Sequence, residues 1–260
     1  MTKASQLNFL YQPAINNPNA KTMVFLHGLF GDLNNLGVIA KAFAENYAIL
    51  PVDLRNHGRS FQSEKMTYDE MATDLKNLLI ELNIQNAIVV GHSMGGKSAM
   101  ALAHLAPDLV EKLVVIDIAP VNYTQNRHRQ IIAGLFAVKE AKPATRQKAK
   151  EVMATYIPEE GIQQFMLKSF DAESEQSFRF NLTALHQNYQ NLMNWKAVKV
   201  DKPTLFIKGA LSDYIVAEHT QTILEQFPQA KSFIVANADH WVHAEKPDAV
   251  IRAITKFLEN

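Results

Sequence analysis

The pentapeptide Gly91-His92-Ser93-Met94-Gly95 follows the apolar run Ala87-Ile88-Val89-Val90 and precedes a helix-forming stretch. A serine flanked by glycines at a strand-to-helix turn constrains this chain more than any other feature. The sharp turn pushes its hydroxyl out of the backbone trace, so a base can reach it from one side and a substrate from the other. Five residues alone also describe a glycine-rich helix cap. The preceding strand, the following helix and Gly96, which lets that helix pack close to a sheet, favour Ser93 as a nucleophile.

Such a serine needs donors for the charge that its attack creates. Met23-Val24-Phe25-Leu26 reads as a buried strand ending in His27-Gly28-Leu29-Phe30-Gly31, a loop suited to aiming backbone N–H groups at a developing oxyanion. The candidate donors are the amides of Leu29 and Met94, each typically worth roughly 3 kcal/mol. The His27 side chain reads as support for the loop backbone.

A general base is expected late in the chain. His240 follows the strand-like Phe233-Ile234-Val235 by a short polar loop and precedes a helix opened by Lys246-Pro247-Asp248, where proline suits the first turn. A histidine after the last strand can swing over the carboxyl edge of an open α/β sheet, where such folds build their sites. The chain has nine histidines, and His243 and His92 read as structural because neither has the position that the order serine, acid, histidine predicts.

Strand and helix patterns alternate along both flanks of the 260 residues, which implies a single α/β body with a mostly parallel central sheet and helices on both faces. Thr67-Tyr68-Asp69-Glu70 reads as a capping box ahead of Met71, Leu75, Leu78, Leu79 and Leu82 at helical spacing. Val250, Ile251, Ile254, Phe257 and Leu258 repeat that spacing in the last helix. Between 122 and 195 the strand pattern vanishes, and helical stretches are expected at 127–139 and 144–156. The expected division is therefore a core of residues 1–121 and 196–260, with 122–195 inserted as a helical cap over the carboxyl edge. Phe136, Phe165, Met166, Phe170, Phe178, Phe180, Tyr189 and Trp195 are its candidate lining residues, although aromatics at helical spacing usually pack among themselves.

These motifs resemble the α/β-hydrolase superfamily over essentially the whole chain, and in particular the small bacterial YbfF-type serine esterases. The residues that carry the resemblance are the 27–31 loop, Asp53-Leu54-Arg55-Asn56-His57-Gly58-Arg59-Ser60, the Ser93 turn through Lys97, Asp117-Ile118-Ala119-Pro120, and His240-Trp241-Val242-His243-Ala244-Glu245-Lys246-Pro247. Asp239 departs from it, since the superfamily usually has glycine before the histidine. The acid departs further. The position that the resemblance implies, three beyond Gly209, is Ser212; Asp213 is one residue late, and one extra loop residue would make it the alternative acid. Asp117, inside the apolar strand-like run Val114-Val115-Ile116-Asp117-Ile118, is the preferred acid, because an aspartate buried there is costly unless paired or hydrogen-bonded. A carboxylate tying down the Ala119-Pro120 turn is the alternative reading. If Asp117 is the acid, Ser212 is expected between it and His240 as a hydroxyl bridge.

Twenty-six basic residues balance 26 acidic ones, so no field attracts nucleic acid. Arg127-His128-Arg129 and Lys97 could together meet an anionic leaving group, although short basic clusters are usually solvated surface. Cysteine is absent, which excludes disulfides and thiolate metal sites; no His/Asp/Glu ligand spacing stands out, and no cofactor is expected. The first ten residues lack an apolar leader pattern and no membrane-length apolar run follows, so a cytoplasmic protein without a membrane partner is expected. The resemblance implies hydrolysis of a small-molecule carboxylic ester or thioester through an acyl-enzyme on Ser93. The same scaffold also serves ligand-binding receptors, carbon–carbon bond hydrolases and perhydrolases. Neither the acyl group nor the oligomeric state is legible.

Overall fold

Six short segments pair side by side; five are apolar and largely buried on both faces, as parallel strands covered by helices must be, and the edge segment 230–235 is partly exposed. In the computed structural model, which describes residues 7–259, they are β1 (Thr22–Leu26), β2 (Ala48–Val52), β3 (Ala87–His92), β4 (Val110–Ile116), β5 (Thr204–Gly209) and β6 (Ala230–Val235). Their order is β2-β1-β3-β4-β5-β6, and every pairing between them is parallel. Phe9 and Gln12 add antiparallel bridges to Val52 and Ile49, covering the free side of β2. Residues 1–6, which open the stretch read for a leader pattern, lie outside the described residues. Among the described residues no helix is long and apolar enough to cross a membrane.

Helices close both faces. α1 (Gly37–Phe43) and α11 (Pro247–Leu258) cover one, where Ile39, Phe43, Val250, Ile254 and Phe257 meet Val90, Val114 and Ile207. α2 (Tyr68–Glu81) and α3 (Met94–Leu105) cover the other, against Val24, Val89 and Leu113. The expected capping box opens α2: the Thr67 hydroxyl accepts from the Glu70 amide while the Glu70 carboxylate accepts from Thr67 N. Leu82, Ile251 and Leu258 sit at the margins of their helical stripes and are only partly buried.

Between β4 and β5 the chain forms α4 (Arg129–Ala141), α5 (Arg146–Ala154), α6 (Glu160–Leu167), α7 (Leu182–Gln187) and α8 (Tyr189–Met193). The first two start two residues later than the sequence pattern suggests. Thr145 caps α5 by accepting from Lys148 N. Between α8 and β5 the chain returns to the sheet, and α9 (Thr220–Gln226) and the short α10 (Val242–Glu245) complete it.

This topology positions one crevice. β1 is followed in sequence by β2 on one side and paired with β3 on the other, so the loops leaving β1 and β3 diverge at the carboxyl edge, where open α/β sheets bind ligands.

Candidate active site

Ser93 leaves β3 at φ 52° and ψ −119°. This is a strained backbone for a residue with a side chain, of the kind that typically costs 1–3 kcal/mol and survives only where its surroundings over-determine it. Two features hold it. Ser93 N continues the ladder by donating to Ile116 O at 3.0 Å, and the flanking residues have no room for side chains. A Cβ on Gly91 would lie 2.2 Å from Gly95 O, and one on Gly95 would lie 2.3 Å from Leu26 O. The elbow therefore packs α3 directly onto the backbones of β1 and β3.

The next strand delivers the carboxylate. β4 ends at Ile116, so Asp117 lies just past the strand rather than within it, in the left-handed region at φ 52° that short polar side chains tolerate. Its amide donates to Ile207 O at 2.8 Å. Its carboxylate is completely buried and fully used: Oδ1 accepts from Gly209 N at 3.0 Å, and Oδ2 accepts from the Ser212 hydroxyl and from His240 Nδ1, the latter at 2.8 Å. Burial pushes the Asp117 pKa up to about 6, against the Ser212 and Gly209 donors that favour the anion.

His240 completes the line, with Nε2 3.0 Å from Ser93 Oγ. Because the carboxylate only accepts, Nδ1 carries the ring proton and Nε2 presents a lone pair to the serine hydroxyl. Burial lowers the His240 pKa, so the ring rests neutral at neutral pH. Tyr214 stacks on it with centroids 3.8 Å apart and planes 15° from parallel. Asn237, at φ 54°, makes the tight turn ahead of the histidine. Asp239 thus needs no glycine-like conformation, and its Oδ1 instead accepts from His240 N at 2.8 Å.

The other acid candidate points away. Asp213 pairs with Arg127 and is largely exposed. Ser212 bonds Asp117 but not His240, so it does not bridge the two; hydroxyl and imidazole share the same carboxylate oxygen.

Leu29 lines the pocket beside Ser93 and Met94 follows Ser93 as the first residue of α3, and among the described residues the Leu29 amide has no protein acceptor. A histidine that the sequence reading did not single out explains that vacancy. His57 Nδ1 donates to Arg55 O at 2.9 Å, leaving Nε2 to accept from Phe30 N at 3.1 Å. His27 does likewise, donating to Gly28 O at 2.8 Å and accepting from Leu54 N at 3.0 Å. Asp53 accepts from Leu33 N at 2.7 Å and Arg59 N at 2.9 Å. The 53–60 run is thus a scaffold for the 27–33 loop, and its density of polar residues between a strand and a turn was the available signal.

The chain fits one family by geometry and by comparison. The α/β-hydrolase fold family matches residues 21–247.

The chain belongs to the α/β-hydrolase fold family.

It is 54% identical over 254 residues to a putative esterase/lipase of Haemophilus influenzae, covering 98% of this chain and 88% of that one. It is 46% identical over 257 residues to the esterase YbfF of Escherichia coli, covering 98% and 100%. Among solved structures, a marine microorganism esterase superposes with a TM-score of 0.90 at 33% identity, over 97% of this chain and 99% of that one.

Ser93 opens into a pocket. Gly28, Leu29, Phe30 and His92 line it from the core, His128, Ile131, Phe165 and Met166 from the inserted helices, and Trp241 from the His240 loop. Its free volume is about 40 Å³. Wider depressions elsewhere, one beside β6 and one around Asp53, contain neither Ser93 nor His240.

Of the eight aromatic and methionine candidates, only Phe165 and Met166 line this pocket. Phe178 and Phe180 stack in the core at 4.8 Å, Phe136 packs on His186, and Trp195 meets Tyr68. Tyr189 supports a lining residue instead, bonding His128 Nδ1 at 2.8 Å. The basic cluster also disperses. Arg127 pairs with Asp213, and Lys97 is buried against backbone carbonyls, away from the pocket.

His92 and His243 sit behind the base. His92 Nε2 donates to His240 O at 2.9 Å, and the His243 ring lies 4.2 Å from that of His92. Burial lowers both of their pKa values, so both rings stand neutral; His92 holds the His240 backbone, whereas His243 packs with its buried Nδ1 unpartnered among the described residues.

Proposed function

We propose that this protein is a serine esterase that hydrolyses carboxylic esters, and by the same chemistry acyl thioesters, through an acyl-enzyme on Ser93. The observation that carries the proposal is the unbroken line from Ser93 Oγ through both His240 nitrogens to the Asp117 carboxylate, at 3.0 and 2.8 Å. The esterase relatives support the same reaction class.

In the first step His240 Nε2 takes the hydroxyl proton as Ser93 Oγ bonds to the acyl carbon. The carbonyl electrons move to oxygen, which the Leu29 and Met94 amides receive, adjoining the positive end of α3. Collapse re-forms the carbonyl and breaks the bond to the leaving alkoxide or thiolate, which takes the proton from His240. Water then repeats the sequence on the acyl-enzyme, with His240 as its base, and restores Ser93. Asp117 fixes the tautomer and stabilises the imidazolium at each proton transfer, and Ser212 holds the carboxylate that does so.

Residues 122–195 act as a cap on this core. A single water needs roughly 10–15 Å³ of such space, so about 40 Å³ suits a group of acetyl size with the cap in this position. Longer acyl chains require the cap to shift.

Turnover of an aryl acetate with a burst of phenolate, together with fluorophosphonate labelling of Ser93, tests the reading. Ser93→Ala is expected to lower turnover by on the order of 10⁴-fold or more. Stoichiometric binding of esters without turnover would instead mark a receptor, and labelling at another serine would move the nucleophile.

A further inference from the structure

The proposed chemistry leaves one buried cation unused. Lys97 lies on α3, four residues past Ser93, and is only 1% exposed. Among the described residues no carboxylate pairs with it, and burial pulls its pKa down to about 7. An ammonium in such a place is costly unless its three protons find acceptors. They do, on the Val121 carbonyl at 2.8 Å and the Met193 and Asn194 carbonyls at 3.2 Å each. The rings of Tyr68, Tyr123 and Trp195 surround it at 5.5, 4.9 and 5.7 Å.

These acceptors are not scattered. Val121 lies where the chain leaves the core for the inserted helices, and Met193 and Asn194 lie where it returns. One side chain on the nucleophile helix therefore holds both crossings. They are also joined to each other, since Tyr123 N donates to Met193 O at 3.0 Å. The outgoing crossing reaches the base as well. The Tyr123 hydroxyl donates to Tyr214 O at 2.6 Å, and Tyr214 is the ring stacked on His240.

We propose that Lys97 is a positioning residue that sets the placement of the cap over Ser93 by pinning both crossings to α3, and thereby tunes which acyl groups the pocket admits. The inference rests on reading 122–195 as a cap and Ser93 as the nucleophile. Filling the space needs no charge, because an apolar side chain of similar volume packs there without desolvating an ammonium. What an apolar side chain lacks is donors for the Val121 and Asn194 carbonyls, which have no other donor among the described residues, and a second donor for Met193 O, which Tyr123 N also serves.

The test compares Lys97→Met and Lys97→Arg with the wild-type full chain by amide hydrogen exchange, and by kcat and KM on p-nitrophenyl acetate and octanoate. In Lys97→Met, exchange is expected to rise on the order of 10-fold at 121–124 and 193–196 together, while α3 and the sheet stay protected. The octanoate-to-acetate ratio of kcat/KM should move by roughly 10-fold, mainly through KM. Lys97→Arg, which keeps donors at the site, should recover part of both effects. Unchanged exchange at the crossings, a rise spread over the whole chain, or equal loss on both esters with a fixed ratio would overturn the proposal. If Lys97→Met does not fold, Trp195→Leu removes one ring from the ammonium and should shift the same ratio in the same direction; a fixed ratio there also overturns it. Fluorophosphonate labelling of the wild type separates the two layers. Failure to label Ser93 refutes the esterase reading, whereas the exchange measurements still decide whether Lys97 holds the crossings.

Discussion

At the scale of single residues, two of the left-handed backbone positions fall on the side chains that the proposed chemistry most needs to aim. Ser93 and Asp117 both have φ 52°, and each is pinned by a backbone bond to the neighbouring strand, to Ile116 O and Ile207 O. The carboxylate assignment can be separated by substitution. Asp117→Asn offers His240 an amide in place of an obligate acceptor and should lower kcat by up to roughly 10⁴ with the fold retained. Asp213→Asn breaks only an exposed pair with Arg127 and should cost about fivefold or less. The reverse ranking in kinetics, with equal melting temperatures, would transfer the acid to Asp213.

The pH dependence follows from the same groups. In the proposed mechanism the active form pairs an ionised Asp117 with a neutral His240. A proton added to either removes the base, so kcat/KM should fall as pH drops through about 6, the value to which burial raises Asp117. Above that pH the activity should be level until other groups titrate. Ser212 donates to the anion and lowers its pKa, so Ser212→Ala should move the acid limb to higher pH. A limb that stays in place or moves down would show that Ser212 does not act through the carboxylate.

At the scale of elements, the inserted helices separate residues that face the pocket from residues that hold the helices together. Phe165 does the former, lying 5.4 Å from Trp241 across the opening. Phe178 does the latter, 1% exposed and stacked on Phe180. Phe165→Ala should widen the pocket and change chain-length preference in kcat/KM with little effect on the acetyl ester. Phe178→Ala should instead cost about 3–5 kcal/mol of stability with preference unchanged. A substrate panel and urea melts on both variants check the contrast. The sequence could not make this distinction. Both phenylalanines occur in helix-rich, polar surroundings, and which one faces the serine depends on how α6 lies over the β1 and β3 loops.

At the scale of the whole molecule, stability rests on two apolar layers sandwiching one sheet, and the central strands belong to both. Leu113 on β4 is fully buried in the layer beneath α2 and α3. Leu113→Ala should lower stability by about 2–5 kcal/mol, read as a lower urea midpoint at unchanged slope. A loss under about 1 kcal/mol would mean that this layer is loosely packed. Leu113 lies on the strand that leads into Asp117, so persistence of Ser93 labelling below the transition is the check that keeps the packing effect distinct from damage to the site.

The sequence by itself determined the strand-turn-helix around Ser93, the β1 loop, the late histidine, the alternation that makes a parallel sheet and the helical insertion. Each is a local pattern, in which the spacing of apolar residues or the steric demand of a glycine is decided within a few positions. Only the tertiary structure decided which contacts those elements make. That Asp117 rather than Asp213 faces His240 depends on β4 and β5 ending side by side, 92 residues apart at the bond from Gly209 N to the Asp117 carboxylate. That Lys97 serves backbone carbonyls rather than a ligand depends on two chain crossings meeting over one helix. Nothing local marks either outcome, because a side chain's charge and size are written in the sequence, whereas its burial and its partners come from packing distant segments together.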